Sequence, residues 1–132
     1  MGPVERAVRA SLRDGEELLT PGQGKPFWVH RMDEGGLVLL LGKGRWETRI
    51  PWGCLEGVPE LLRGRGWIRT SGSFAPESDT TTLSGYLKQF VNRETANWVA
   101  VVLDESGVIE LDRSRPLSVR LSKEFQPDQR EP

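Results

Sequence analysis

Thr82-Leu83-Ser84-Gly85-Tyr86-Leu87, then Asn92-Arg93-Glu94-Thr95, Trp98-Val99-Ala100-Val101-Val102-Leu103, Gly107-Val108-Ile109-Glu110-Leu111 and Leu117-Ser118-Val119-Arg120-Leu121 read as helix, turn, helix, strand, strand. An Arg113-Ser114-Arg115-Pro116 tip joins the two strands. In the second helix, Thr95, Ala96, Val99, Ala100, Val102 and Leu103 fall on one side of a helical wheel, as packing on a core requires. The opposite side carries Glu94, Asn97, Trp98, Val101, Asp104 and Glu105.

Working towards the N-terminus, Ser71 to Thr81 is polar and contains Gly, Pro and Ser, the composition of a loop. Trp67-Ile68-Arg69-Thr70 reads as a short strand. A helix beginning near Pro51 places Leu55, Val58, Leu61 and Leu62 in one stripe and ends at Gly64 and Gly66, with Gly57 and Pro59 making its first turn irregular. Helix, strand, helix, turn, helix, strand, tip and strand over residues 51–121 resembles a winged helix-turn-helix. The resemblance lies in the order of elements, without signature residues. It implies double-stranded DNA as the partner of a transcription regulator or of the targeting part of a larger bacterial-type system. Base contacts would come from Lys88, Gln89, Asn92 and Arg93, and phosphate or minor-groove contacts from Arg113 and Arg115.

Residues 1–50 add a different pattern. Pro3 suits a first helical turn, and Val4, Ala7, Val8, Ser11 and Leu12 follow at helical spacing up to Asp14-Gly15. Thr20 to Pro26 is dense in Pro and Gly and reads as a loop. Phe27–Met32, Gly36–Leu41 and Arg45–Ile50 then read as a three-stranded antiparallel meander with turns at Asp33-Glu34-Gly35 and Gly42-Lys43-Gly44. The central strand is apolar on both faces, which places it mid-sheet under cover on each side. The expected fold is α+β: an N-terminal helix and meander over 1–50, a winged-helix-like lobe over 51–123, and a frayed tail over 124–132.

With 132 residues, 36% hydrophobic and 28% charged, the chain has the composition of a folded domain large enough to bury a core. No apolar run approaches the roughly 20 residues of a membrane-spanning helix, and residues 1–20 lack the apolar centre of a signal peptide. Cys54 is the only cysteine, so an internal disulfide and a cysteine-cluster zinc site are excluded and a cytoplasmic setting is expected. Formal net charge is −1. A field so close to neutral does not draw in nucleic acid, and residues 82–123 are themselves nearly balanced.

Constellations that specify chemistry are missing. The glycine pairs around Gln23, Lys43 and Arg65 do not continue into a phosphate-binding loop. His30 is the single histidine, which leaves no His-His pair for a metal and no Ser-His-Asp set. Cys54 lies beside Trp52 and Leu55, which predicts a buried, inert thiol. Trp67, among Arg63, Arg65 and Arg69, is expected to pack into the core, with the arginines in water. The expectation is therefore a non-catalytic module without metal or cofactor. The carboxylates beside the second helix would be repelled and desolvated between phosphate rows, so another protein is the favoured partner. Glu94, Asn97, Trp98 and Val101 would carry that contact, with packing of Trp98 within the chain the competing role.

Overall fold

The computed structural model describes residues 1–70, 82–114 and 116–125 and is α+β. The expected 71–81 loop, Arg115 and most of the expected frayed tail lie outside the described residues.

Helix α1 (Pro3–Ser11) starts at Pro3 and turns Val4 and Val8 inward, with Leu12 buried just beyond its end. Gly2 gives it no side-chain cap. A distant residue does: the Glu56 carboxylate accepts hydrogen bonds from Val4 N at 3.0 Å and Glu5 N at 2.8 Å. These are amide groups that a first helical turn leaves without partners, next to the positive end of the helix dipole.

Four antiparallel strands follow, β1 (Glu17–Leu19), β2 (Pro26–Met32), β3 (Gly36–Leu41) and β4 (Trp46–Pro51), in the spatial order of the chain. The meander thus has one strand more than the sequence suggested. β1 is only three residues long and shows one inward side chain, Leu18, too little to produce an alternation. A shift in register between Val29 and Arg31 accommodates His30. On the inner face Phe27, Val29, Leu37, Leu39, Leu41 and Ile50 join the core.

The outer face of β3 is covered by side chains from the strands beside it. Val38 stands opposite Arg31 and Arg49, and Leu40 opposite Trp28 and Glu47. Long charged side chains and a tryptophan thus shield these apolar residues, their stems lying on the sheet while their heads reach solvent.

The predicted single helix after Pro51 is two, α2 (Trp52–Glu56) and α3 (Val58–Leu62), broken at Gly57. β5 (Ile68–Arg69), α4 (Leu83–Leu87), α5 (Ala96–Glu105), β6 (Ile109–Asp112) and β7 (Ser118–Leu121) complete the chain. The second sheet has strand order β5-β7-β6, so the last strand lies between the two earlier ones. Thr82 caps α4 by accepting a bond from Gly85 N at 3.0 Å. The α5 stripe is as expected: Thr95, Ala96, Val99, Ala100, Val102 and Leu103 are all buried. One core runs through both halves, from Val4 and Leu39 to Leu103 and Val119. Among the described residues no helix is long and apolar enough to cross a membrane.

Candidate functional site

Two residues at the start of α5, Asn97 and Trp98, border a cleft of about 490 Å³. Its walls come from three places. Residues 20–23, between β1 and β2, form one side; Arg113, Pro116 and Leu117, from the β6–β7 connection, form another; and Thr70 closes the end of β5. Trp98, Pro21, Pro116 and Leu117 supply apolar surface, and Asn97, Gln23, Thr20, Thr70 and Arg113 supply donors and acceptors around it.

Trp98 is half-buried, with part of its side chain against the core. It differs from the other four tryptophans in what lies over it. Arg45 stands 4.1 Å from the Trp28 ring centroid, Arg120 4.4 Å from Trp67, Arg9 5.2 Å from Trp52 and Arg93 5.7 Å from Trp46. These are stacking distances for a guanidinium on an aromatic face. Among the described residues no arginine covers Trp98, whose remaining surface borders the cleft instead.

The rest of the protein-binding set is not assembled with it. Val101, expected on the exposed side of the helix, is only 2% exposed and belongs to the core. α5 is packed by α1, α4, β1 and β6, so its apolar residues are enclosed from more than one direction. Glu94 is exposed but engaged: both its carboxylate oxygens accept from the Ser84 hydroxyl, and Lys88 Nζ lies 4.0 Å away. Asn97 is the exposed polar residue that stays with Trp98 at the cleft.

The residues expected to meet DNA are also dispersed in role. Gln89 and Asn92 are exposed. Arg93 lies over Trp46 and donates to Thr48 Oγ1 at 3.3 Å, tying the segment before α5 to β4. Lys88 faces Glu94. Arg113 is the cation of this set that borders the cleft, and Asp104 Oδ2 sits 3.5 Å from its Nη2. Beside it, Asp112 accepts bonds from the Ser114 hydroxyl and the Ser114 amide, which hold its carboxyl below the usual range and keep a negative charge at the connection. Arg115 lies outside the described residues.

Other singled-out side chains have local roles. Cys54 is buried and burial pushes its thiol up to about 12. Tyr86 donates to the Cys54 carbonyl oxygen at 2.6 Å, and burial likewise raises its phenol to about 12. His30 is exposed, with Nε2 3.8 Å from Glu47. Trp67 departs from its expected place in the core: it is 44% exposed, beneath Arg120.

Residues 20–23 were read from sequence only as a loop, and no motif in them signals a site. Their position against α5 is set by the short β1–β2 pairing, which the sequence did not disclose. Comparison with protein-family models, curated proteins and solved structures finds no match to this chain.

Proposed function

We propose that this protein is a non-catalytic interaction module that binds a segment of another protein in the cleft beside α5. The observation that carries this reading is Trp98, the one tryptophan without a stacked arginine among the described residues, bordering a cleft lined by both apolar and hydrogen-bonding side chains. A tryptophan with an amide and a guanidinium nearby suits an apolar side chain and the backbone groups that flank it. Asn97, Trp98 and Arg113 are the contact residues of this proposal, while Glu94, held by Ser84, does not line the cleft.

Double-stranded DNA binding in the manner of a winged helix is the second reading. The sheet order β5-β7-β6, with α4 and α5 between β5 and β6 in the chain, favours it, because fold-level likeness is its main support. Against it, Lys88, Arg93 and Arg113 each have an acidic or aromatic neighbour within the chain, and α5 carries Asp104 and Glu105 near its end.

Selection of a random peptide library displayed on phage tests the two together. Peptides retained by the folded protein and released by Asn97→Arg or Arg113→Glu are expected, with no salt-sensitive binding of labelled duplex DNA in fluorescence anisotropy. Saturable duplex binding that weakens steeply with salt, without any retained peptide, would replace the first reading with the second.

A further inference from the structure

Among the described residues β4 pairs with one strand only, β3, while the Arg93 side chain reaches it at Thr48 Oγ1. At six residues it is the longest strand at a sheet margin among the described residues, against three in β1, two in β5 and four in β6. A margin of that length offers a row of backbone N–H and C=O groups to any strand whose side chains permit pairing. In an antiparallel ladder, residues directly opposite share a face of the sheet, so the side-chain sequence decides which partner and which register fit.

Trp46, Thr48 and Ile50 stand opposite Leu41, Leu39 and Leu37 and so share the inner face, while Glu47 and Arg49 share the outer one. We propose that the protein self-associates through β4, two copies pairing antiparallel about a twofold axis at Thr48 and joining their four-stranded sheets into one.

The register follows from charge. A twofold arrangement that keeps both inner faces on the same side must be centred on a residue of β4. Centred on Glu47, it sets that carboxylate against itself; centred on Arg49, it sets two guanidinium groups against each other. Centred on Thr48, it sets Glu47 opposite Arg49 of the second copy, twice by symmetry, and Trp46 opposite Ile50. Trp46 is 59% exposed, more than any other aromatic side chain among the described residues. Its ring is held over the β3–β4 turn, where a Cβ at Gly42 or Gly44 would come within 2.9 Å of it.

The charges within one copy extend the same pattern. Asp33 bonds Arg49, and Glu47 lies 3.7 Å from Arg31, yet the Glu47 side chain remains 56% and Arg49 43% exposed. Across the paired margin the sequence of signs becomes Asp33, Arg49, then Glu47 and Arg31 of the second copy, alternating throughout. Opposite charges in facing positions stabilise a ladder, and like charges there destabilise it.

Sedimentation equilibrium of the full chain, over a concentration series reaching millimolar, tests the proposal. The wild type is expected to show a monomer–dimer equilibrium, and Glu47→Arg and Arg49→Glu are each expected to weaken it about tenfold or more. Mixing the two variants restores dimerisation, because one copy then presents two cations and the other two anions in facing positions. A monomeric wild type, a dimer indifferent to Glu47→Arg, or a mixture that stays monomeric overturns it. Should Arg49→Glu fail to fold through loss of its Asp33 contact, hydrogen exchange decides with Glu47→Arg alone. The β4 amides of the wild type must exchange more slowly as concentration rises and those of the variant must not; equal behaviour overturns the proposal.

Discussion

Asp33 gathers more of the surface structure than any other single carboxylate described here. It accepts bonds from Gly35 N at 2.9 Å, Gly36 N at 3.0 Å and Arg49 Nη2 at 2.8 Å, so it fixes the β2–β3 turn and one end of β4. The Arg49 hydrogen bond chiefly, with the two amides, holds its carboxyl well below the usual range. An acid whose folded-state pKa is depressed contributes stability that is present above the unfolded value and lost as pH falls towards the folded one. The thermal midpoint should therefore drop as pH is lowered from about 5 through the ordinary carboxylate range near 4, and Asp33→Asn should flatten part of that fall. Calorimetry of both proteins across the acid range checks this; identical slopes would deny Asp33 the role. Cys54 has the opposite sign, because burial raises its thiol from 9.0 to about 12. Its contribution is intact below about 9 and declines as pH rises towards the folded value, where the unfolded chain releases the proton first. At mildly alkaline pH a thiol reagent should label the native protein slowly and the denatured protein at once, and equal rates would contradict the burial argument.

At the scale of elements, legibility followed how local the determining contacts are. Pro3, Val4 and Val8 announce α1, and the six-residue stripe announces the core side of α5, because both are set by helical spacing. Contacts made across long separations left no such trace. β1 needs β2 to exist, Trp67 is turned outward with Arg120 of β7 over its ring, and Val101 is buried because several elements enclose α5. A wheel assigns a side chain to a face but does not say what lies against that face. The candidate site is half legible for this reason: position marks Asn97 and Trp98 for a protein partner and Arg113 for DNA, whereas nothing in the sequence marks the 20–23 wall of the cleft. The cap on α1 is another such long-range device, since Glu56 stands 51 and 52 positions from the amides it serves. Glu56→Ala should cost about 1 kcal/mol, the usual scale for losing a helix cap, with Glu56→Gln recovering part of it. Urea denaturation measures the difference; a loss within experimental error would mean that water satisfies those amides as well.

For the molecule as a whole, the question is whether the first fifty residues and the rest unfold together. The strands of the first sheet and the long helix of the second half contribute to the same core cluster, Leu39 and Ile50 with Val99 and Leu103. Helix α1 is capped by Glu56 from α2, and Arg93 ties the α5 approach to Thr48. Neither half can lose its structure without exposing apolar surface of the other, which makes a single cooperative transition the expected behaviour of a chain this size. Leu103→Ala, which empties a fully buried position, should destabilise the protein by about 2–5 kcal/mol. The decisive point is how that loss appears. Far-ultraviolet circular dichroism and tryptophan fluorescence should shift together, because Trp28 and Trp46 of the first sheet report the same event as the helices. Two separated transitions, with Leu103→Ala moving only one of them, would show two independent units. The cleft is walled by residues 20–23 from one half and by α5 and the β6–β7 connection from the other, so its shape depends on that shared core. Under the proposed function, Leu103→Ala should therefore weaken peptide retention only as the folded population falls, leaving the affinity of the folded fraction unchanged.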